Sequence, residues 1–429
     1  MMPDRKKQIA ILGFGNEGRA VFKFLKREKE LEDKNVWILD RSEKVKIPKG
    51  IKSQLGKDYL KNLARFLTIY RSPGVPYMAK ELVVARKKGV RFSSATKLFF
   101  EKSPAPIIGV TGTKGKGTTS TLLKKILKAA HKDVYLAGNI GLPAVEILPK
   151  LKKTSWVILE LSSFQLQDLE ISPTVSVVLE VFPDHQDSHK NLAEYYSSKA
   201  NVAKHQKPTD AVFFFGDKEK SRWVASHGKG EKMPVLPDGS LELDEEELKV
   251  RGPHNFRNAV LALAVAEYLG IPKKIAVRII KSFRGLEHRL EFVRAIGNVK
   301  FYNDSASTNP HTSAAALRSF APHEAAIIMG GYDKGLNYSP AAKAIKEARP
   351  KLVVLLGANS QKIYKAINKT GVKIKFAKKL DAAVRSAYAA VKEKDVPGAV
   401  VFSPGAASFD MFKNYADRGK QYKVVVGSL

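Results

Sequence analysis

Between Gly109 and Thr118 the chain reads Gly-Val-Thr-Gly-Thr-Lys-Gly-Lys-Gly-Thr, after the apolar run APIIGV and before the amphipathic stretch TSTLLKKILKAA. Strand, glycine loop, lysine and helix in that order make a cradle for phosphate. Glycines let backbone N–H groups close around the oxygens, and the helix N-terminus adds a favourable dipole. Gly112, Thr113, Lys114, Gly115, Lys116, Gly117 and Thr118 are therefore the expected phosphate contacts, with Lys116 offsetting charge on the β- and γ-phosphates of ATP. The G-x-x-x-x-G-K-[ST] pattern is met imperfectly, since Val110 stands at its first glycine and Gly117 at its hydroxyl position. Thr118 or Thr119 is left to meet a magnesium ion.

Other residues could serve the same cleft. Glu160 ends the strand pattern WVILE, where a carboxylate either holds Mg²⁺ beside phosphates or makes a strand-end salt bridge. His185, in PDHQD after the next strand pattern, is either a ligand or a structural histidine. Gly13-x-Gly15-x-x-Gly18, with Asp40 closing the following strand, fits a nucleotide-diphosphate turn as well as a purely structural βαβ turn. Nothing downstream resembles hydride-transfer machinery. Near the C-terminus, SPGAASFDMFKNY reads as strand, small-residue loop and helix, with Ser408 at the helix start as an ordinary N-cap or as a contact for a carboxylate.

The elements that would carry these residues alternate between strand and helix from end to end, which predicts parallel sheets covered by helices. QIAILGFG, EGRAVFKFLKREKE and VWILD make a βαβ opening, a new unit begins near Pro104 to Pro106, and composition changes again close to Gly285. The later strand patterns AAIIMGG, KLVVLLG and AVVFSPG run into glycines at a sheet's carboxyl edge, where open α/β sheets bind ligands. The expected fold class is α/β in three domains: an N-terminal Rossmann-like domain (1–97), a central P-loop ATPase-like parallel-sheet domain (98–285) and a C-terminal Rossmann-like domain (286–429).

A chain of 429 residues exceeds one hydrophobic core at about 100–200 residues per domain. Its 44% apolar and 27% charged residues suit a globular protein. Without cysteine, neither disulfides nor thiolate chemistry is available. The opening apolar run is too short for a signal h-region or a membrane span, so a cytoplasmic protein without membrane insertion is expected. The net charge of +32 favours polyanions in general. Its lysines are scattered rather than gathered, so solvated helix faces account for them and nucleic acid is not the expected partner.

Taken together, SPGVP, GVTGTKGKGTTS, AGNIGLP, LELSSFQL, PDHQDSH, the YYSSKANV lysine, GPHNFRNA, GLEHRLEF, NDSASTNP, GGYDKG and SPGAASFDMFKNYADRG resemble the Mur ligases, in family order along nearly the whole chain. ELSSFQL, HRLEF and SFDMFKNY resemble the members that add D-glutamate. The resemblance implies a UDP-substrate domain, a central ATPase and an amino-acid domain. The implied reaction joins D-glutamate to UDP-N-acetylmuramoyl-L-alanine through an acyl phosphate at the expense of ATP with Mg²⁺, in peptidoglycan precursor synthesis; a monomer is expected.

Position by position, it implies Lys116 as the phosphate-loop lysine, Glu160 and His185 as magnesium ligands with Thr118, and Lys199 as the lysine that becomes a carbamate and so an anionic ligand. Asn139 lies near substrate and phosphate. Asn255, Asn258, Arg289 and Asp304 match ATP contacts, and Thr308, Lys334, Ser408, Phe409 and Tyr415 the D-glutamate pocket. Asn16, Asp40 and Arg41 match the uridine-nucleotide site, with Ser72 and Gly74 as further substrate contacts. The chain departs from the family at Ala306, where a lysine is usual, at Gly117, where Ser or Thr is usual, and at Lys114, where Asn is usual. These departures leave two other readings open: a Mur-type ligase for another amino acid or acceptor, or a nucleotide-binding module with a decayed site.

Overall fold

In the computed structural model, which describes residues 8–31, 35–183, 189–237, 243–250, 252–320, 322–393 and 395–429, three sheets follow one another along the chain. The first joins β1 (Gln8–Leu12), β2 (Asn35–Asp40), β3 (Lys52–Leu55), β4 (Thr68–Arg71) and β5 (Arg91–Ser93) in the order β3-β2-β1-β4-β5, with every pair parallel. β1 reads as an unbroken apolar run because helices cover both faces of such a sheet. Ile9, Ala10, Ile11 and Leu12 are all buried.

The second sheet joins β6 (Ile107–Thr111), β7 (Val134–Gly138), β8 (Trp156–Glu160), β9 (Val175–Val178), β10 (Ala211–Phe215) and β11 (Glu231–Val235) in the order β11-β10-β9-β6-β8-β7, again all parallel. From β6 the chain leaves to one side for β7 and β8 and returns to the other for β9. β6 therefore stands at the switch point, where a crevice opens beyond the strand ends. The phosphate loop follows that strand.

The third sheet joins β12 (Glu291–Ile296), β13 (Val299–Asn303), β14 (Ala325–Met329), β15 (Leu352–Leu356), β16 (Ile374–Ala377) and β17 (Gly398–Phe402) in the order β12-β13-β17-β14-β15-β16. β12 runs antiparallel to β13, joined by the two residues Gly297 and Asn298, against the expectation of parallel strands throughout. So short a loop can only make a hairpin, because a parallel return needs a crossover of a dozen residues. The α/β class and the three successive sheets are as the sequence predicts.

The described residues fall into two compact units, one within Met1–Leu241 plus Asn258–Ile279, the other within Glu242–Arg257 plus Ile280–Leu429. The first unit contains the first two sheets. One continuous hydrophobic cluster runs through both, from Ile9, Phe14 and Leu25 through Phe99 and Val145 to Leu159 and Val212. The second unit packs apolar side chains on both faces of the third sheet, with Ile327, Leu355 and Ile363 on one face and Phe301, Ile328 and Tyr422 on the other.

Candidate active site

The phosphate loop is built as its residue types require. β6 ends at Thr111, and the helix Lys116–Ala129 starts behind Gly115, which has φ +83°. That conformation costs an L-residue with a side chain about 1–2 kcal/mol. A side chain there would also have to displace Asn258, since a Cβ on Gly115 would lie 2.6 Å from its Oδ1. Gly115 at the N-cap has no side chain to cap this helix, which leaves its first N–H groups to an anion. Lys116 Nζ donates to the carbonyls of Gly112 at 3.0 Å and Thr113 at 3.1 Å. Lys114 is exposed beside them, Gly117 and Thr118 are half-buried, and the Thr119 hydroxyl is buried with no hydrogen-bond partner among the described residues.

Lys199, eighty-seven positions from Gly112 and 2% exposed, donates its Nζ to the same Gly112 carbonyl at 2.9 Å. It arrives on the helix Leu192–Lys204, which Asn191 caps through the N–H of Glu194. One turn back on that helix, the Tyr195 hydroxyl meets Thr113 Oγ1 at 2.8 Å, and Thr113 N donates to Glu180 O at 2.8 Å. Tyr195 thus braces the loop from the side. Nothing in its sequence setting marks it except its spacing of four from Lys199.

β8 lies next to β6, pairing Glu160 with Val110, so the carboxylate ends beside the start of the loop. Asn139 holds it twice: Nδ2 donates to Oε1 at 2.7 Å and the backbone N–H to the Glu160 carbonyl at 2.9 Å. The other oxygen accepts no hydrogen bond among the described residues. A hard oxygen ligand of this kind is what magnesium takes, so Glu160 as Asn139 holds it fits that ion. Lys199 fits only as its carbamate, because an ammonium cannot ligate. His185 lies outside the described residues. Among the described residues no three His, Cys, Asp or Glu side chains converge into a metal cluster.

The N-terminal sheet assembles the dinucleotide-type turn. Gly18 packs so closely that a Cβ would meet the Gly13 carbonyl at 2.1 Å, whereas a Cβ on Gly15 would meet nothing within 4 Å. The first closeness seats helix Asn16–Arg27 on its strand, and the second opening leaves room for a ligand. Asn16 and Arg41 are exposed and Asp40 half-buried. Asp40 Oδ2 accepts from Phe14 N at 2.6 Å and Oδ1 from Ser42 N at 2.8 Å, so one oxygen serves the backbone of the turn and the other the segment that follows β2. Ser72 Oγ donates to Gly13 O at 2.6 Å and Gly74 is exposed next to it, which brings the SPG segment to the same turn.

In the second unit, Asp304 lies buried at the end of β13. Oδ2 accepts from Ser403 Oγ at 2.6 Å and Oδ1 from Leu290 N at 3.1 Å. Burial pushes its carboxyl up to about 7, against the opposing pull of those two bonds and of Arg289 and Arg418. Arg289 is exposed between His288 and Leu290, both left-handed at φ +65° and +43°. Ala306 N donates to His288 O at 2.9 Å, so the carboxylate and this amide together hold the strained turn that presents Arg289. Asn255, half-buried, sits in the first turn of helix Pro253–Tyr268.

The expected helix at Ser408 is absent. Residues 408–412 form a turn closed by Phe412 N on Ser408 O at 2.9 Å, and the helix starts only at Tyr415–Gly427. Asp410 explains the difference, because its carboxylate caps the N–H of Ala358 across the sheet edge and Asn414 is left to cap the helix. Ser408 is buried while Phe409 (64% exposed) and Tyr415 stand out. Lys334 Nζ lies 5.6 Å from the Phe409 ring centre and Thr308 is half-buried. A cavity of about 860 Å³ in the first unit, among Tyr70, Tyr77, Arg91, Phe92 and His205, holds none of the candidate residues.

Known proteins match this chain at three levels. The family model of the Mur ligase middle domain matches residues 110–242, and that of the Mur ligase glutamate ligase domain matches residues 288–403. Proteins named UDP-N-acetylmuramoylalanine--D-glutamate ligase are 35% identical in Acetivibrio thermocellus and 32% in Symbiobacterium thermophilum, each over 99% of this chain and 97% or 98% of the relative. Among solved structures, UDP-N-acetylmuramate-alanine ligase MurC from Thermotoga maritima aligns with a TM-score of 0.55 at 18% identity over 98% of this chain and 99% of that one. The UDP-N-acetylmuramoylalanyl-D-glutamyl-2,6-diaminopimelate--D-alanyl-D-alanyl ligase from Acinetobacter baumannii aligns at 0.56 and 16% identity over 98% and 92%. At such identities the structures speak for the fold alone.

Proposed function

The chain belongs to the Mur ligase family, and from that premise we propose that it joins D-glutamate to UDP-N-acetylmuramoyl-L-alanine with cleavage of ATP to ADP and phosphate, in peptidoglycan precursor synthesis. The observation that carries this reading is the convergence of Lys116 and Lys199 on the Gly112 carbonyl, in a chain whose full length matches relatives named for that reaction.

In this reading residues 1–97 hold the UDP-substrate through Asn16, Asp40, Arg41, Ser72 and Gly74, residues 98–285 hold ATP, and residues 286–429 hold D-glutamate through Thr308, Lys334, Ser408, Phe409 and Tyr415. The loop amides and Lys116 bind the transferring phosphoryl group and oppose the charge that develops on it. Asn139 orients Glu160, which with Thr118, His185 and Lys199 as its carbamate would hold a magnesium ion. Magnesium, when bound there, offsets the negative charge of the phosphates. The substrate carboxylate accepts the γ-phosphoryl group, and the amine of D-glutamate then displaces phosphate to form the amide. Asn255, Asn258, Arg289 and Asp304 are assigned to the nucleotide, Asp304 through its effect on the Arg289 turn.

No helix among the described residues is long and apolar enough to cross a membrane, and we assign the enzyme to the cytoplasm as a monomer. The purified protein is expected to release phosphate only when ATP, UDP-N-acetylmuramoyl-L-alanine and D-glutamate are all present. Release that ignores the amino acid's identity would sink the assignment. Ala306 and Gly117 favour a second reading, in which another amino acid is preferred, and a screen of amino acids in the same assay separates the two.

A further inference from the structure

Arg71 closes β4 immediately before Ser72, yet its guanidinium is among the most deeply buried charges of the molecule at 1% exposure. Nη1 donates to the Val75 carbonyl at 2.8 Å, so one arm of the fork ties off the Ser72–Val75 loop from within. Nη2 reaches across to the second sheet's side, donating to Phe164 O at 3.3 Å and pairing with Asp168 Oδ1 at 3.4 Å. A second bridge runs parallel to it: Gln165 Nε2 donates to Glu17 Oε1 at 2.9 Å, next to Asn16. Both pieces of the substrate turn are thereby fastened to one segment, Ser162–Asp168, which leaves β8 two residues after Glu160.

The same segment leads to the phosphate loop. The Phe164 ring stacks on His189 at 4.8 Å, His189 meets Tyr195 edge-on at 5.4 Å, and Tyr195 holds Thr113. Every link is a packed ring or a hydrogen bond.

As a stabilising device this seam is poor. Among the described residues Arg71 Nε, Asp168 Oδ2 and Glu17 Oε2 are buried without a partner, and burial raises the Glu17 carboxyl above its usual range despite Gln165 and Arg71. Apolar side chains of similar volume hold such a seam at least as well. What a planar fork adds is direction, because its N–H groups fix two carbonyls and a carboxylate in set positions.

We infer that Arg71 is a positioning residue for the ligation reaction, holding the Ser72–Val75 substrate loop in register with the Ser162–Asp168 segment so that the bound carboxylate meets the phosphate loop. The inference rests on the assignment of Ser72 and Gly74 to the UDP-substrate.

The test measures dissociation constants by calorimetry for UDP-N-acetylmuramoyl-L-alanine and for a non-hydrolysable ATP analogue, with Tm, on the full chain. Arg71→Lys keeps the charge and loses the fork. It is expected to weaken the UDP-substrate by about tenfold or more while leaving the analogue within about twofold, with Tm lowered by the broken buried pair. Asp168→Asn, which leaves Arg71 in place, is expected to act in the same direction and less strongly, and it decides the matter if Arg71→Lys fails to fold. Unchanged UDP-substrate affinity in the deciding variant overturns the inference, as does equal weakening of both ligands alongside a lowered Tm. A wild-type chain that cannot bind the UDP-substrate overturns the functional assignment and this inference together, whereas wild-type binding with an indifferent variant removes the inference alone.

Discussion

The Nζ of Lys199 lies 2.9 Å from the carbonyl oxygen of Gly112, the oxygen that also takes the Lys116 ammonium at 3.0 Å. Two cations on one acceptor repel each other. Conversion of the Lys199 amine to a carbamate would remove one positive charge and supply an anion beside the phosphate loop. We therefore predict that turnover falls in buffer stripped of carbon dioxide and returns with bicarbonate, and that Lys199→Met lowers turnover by about 100-fold or more. Rates indifferent to bicarbonate would remove the carbamate from the scheme.

Gly115 tests the phosphate loop without touching a charged group. Gly115→Ala meets both a left-handed backbone and the Asn258 side chain, and an ATP analogue is expected to bind at least about tenfold more weakly. Asn258→Ala in the same chain relieves only the second obstacle, so it should recover part of the stability lost, as Tm would record. Strict additivity of the two changes would show that the residues do not meet.

The glycines of the N-terminal turn predict opposite phenotypes. Gly18→Ala drives a methyl into the Gly13 carbonyl and should cost about 1–3 kcal/mol of stability in denaturant unfolding. Gly15→Ala has space, and should leave unfolding nearly unchanged while weakening the UDP-substrate. Equal loss of stability in both variants would contradict the packing described.

Asp304 makes folding depend on pH. Burial raises its carboxyl from an ordinary 3.8 to about 7, so the folded chain holds the proton more tightly than the unfolded one. The associated stabilisation is complete below about pH 3.8 and is lost as the pH rises through about 7. The unfolding free energy of wild type minus that of Asp304→Asn should accordingly fall across this interval and level off above it. A difference that rises with pH would show the carboxylate to be stabilised in its ionised form.

Much of this could be read along the chain, because strand and helix periods and the glycine loops are local signals. The α/β class, the phosphate loop before helix Lys116–Ala129, and Glu160 at a strand end each follow from fewer than about twenty consecutive residues. Distant pairing was not legible. Asn139 on Glu160, Lys199 and Tyr195 on the phosphate loop, and Arg71 on Phe164 and Asp168 join positions 21 to 97 apart. Local propensity also misplaced an element: SPGAASFDMFKNY has helical composition from Ser408 onward, but Asp410 is drawn to the Ala358 N–H and delays the helix to Tyr415. The hairpin of β12 and β13 likewise depends on a two-residue connection that an end-to-end strand and helix rhythm conceals. Sequence alone determined which residues could grip phosphate, since backbone freedom and charge belong to the residue types. Only the tertiary structure decided which carbonyls and carboxylates those residues face, since a hydrogen bond selects its partner by position in space.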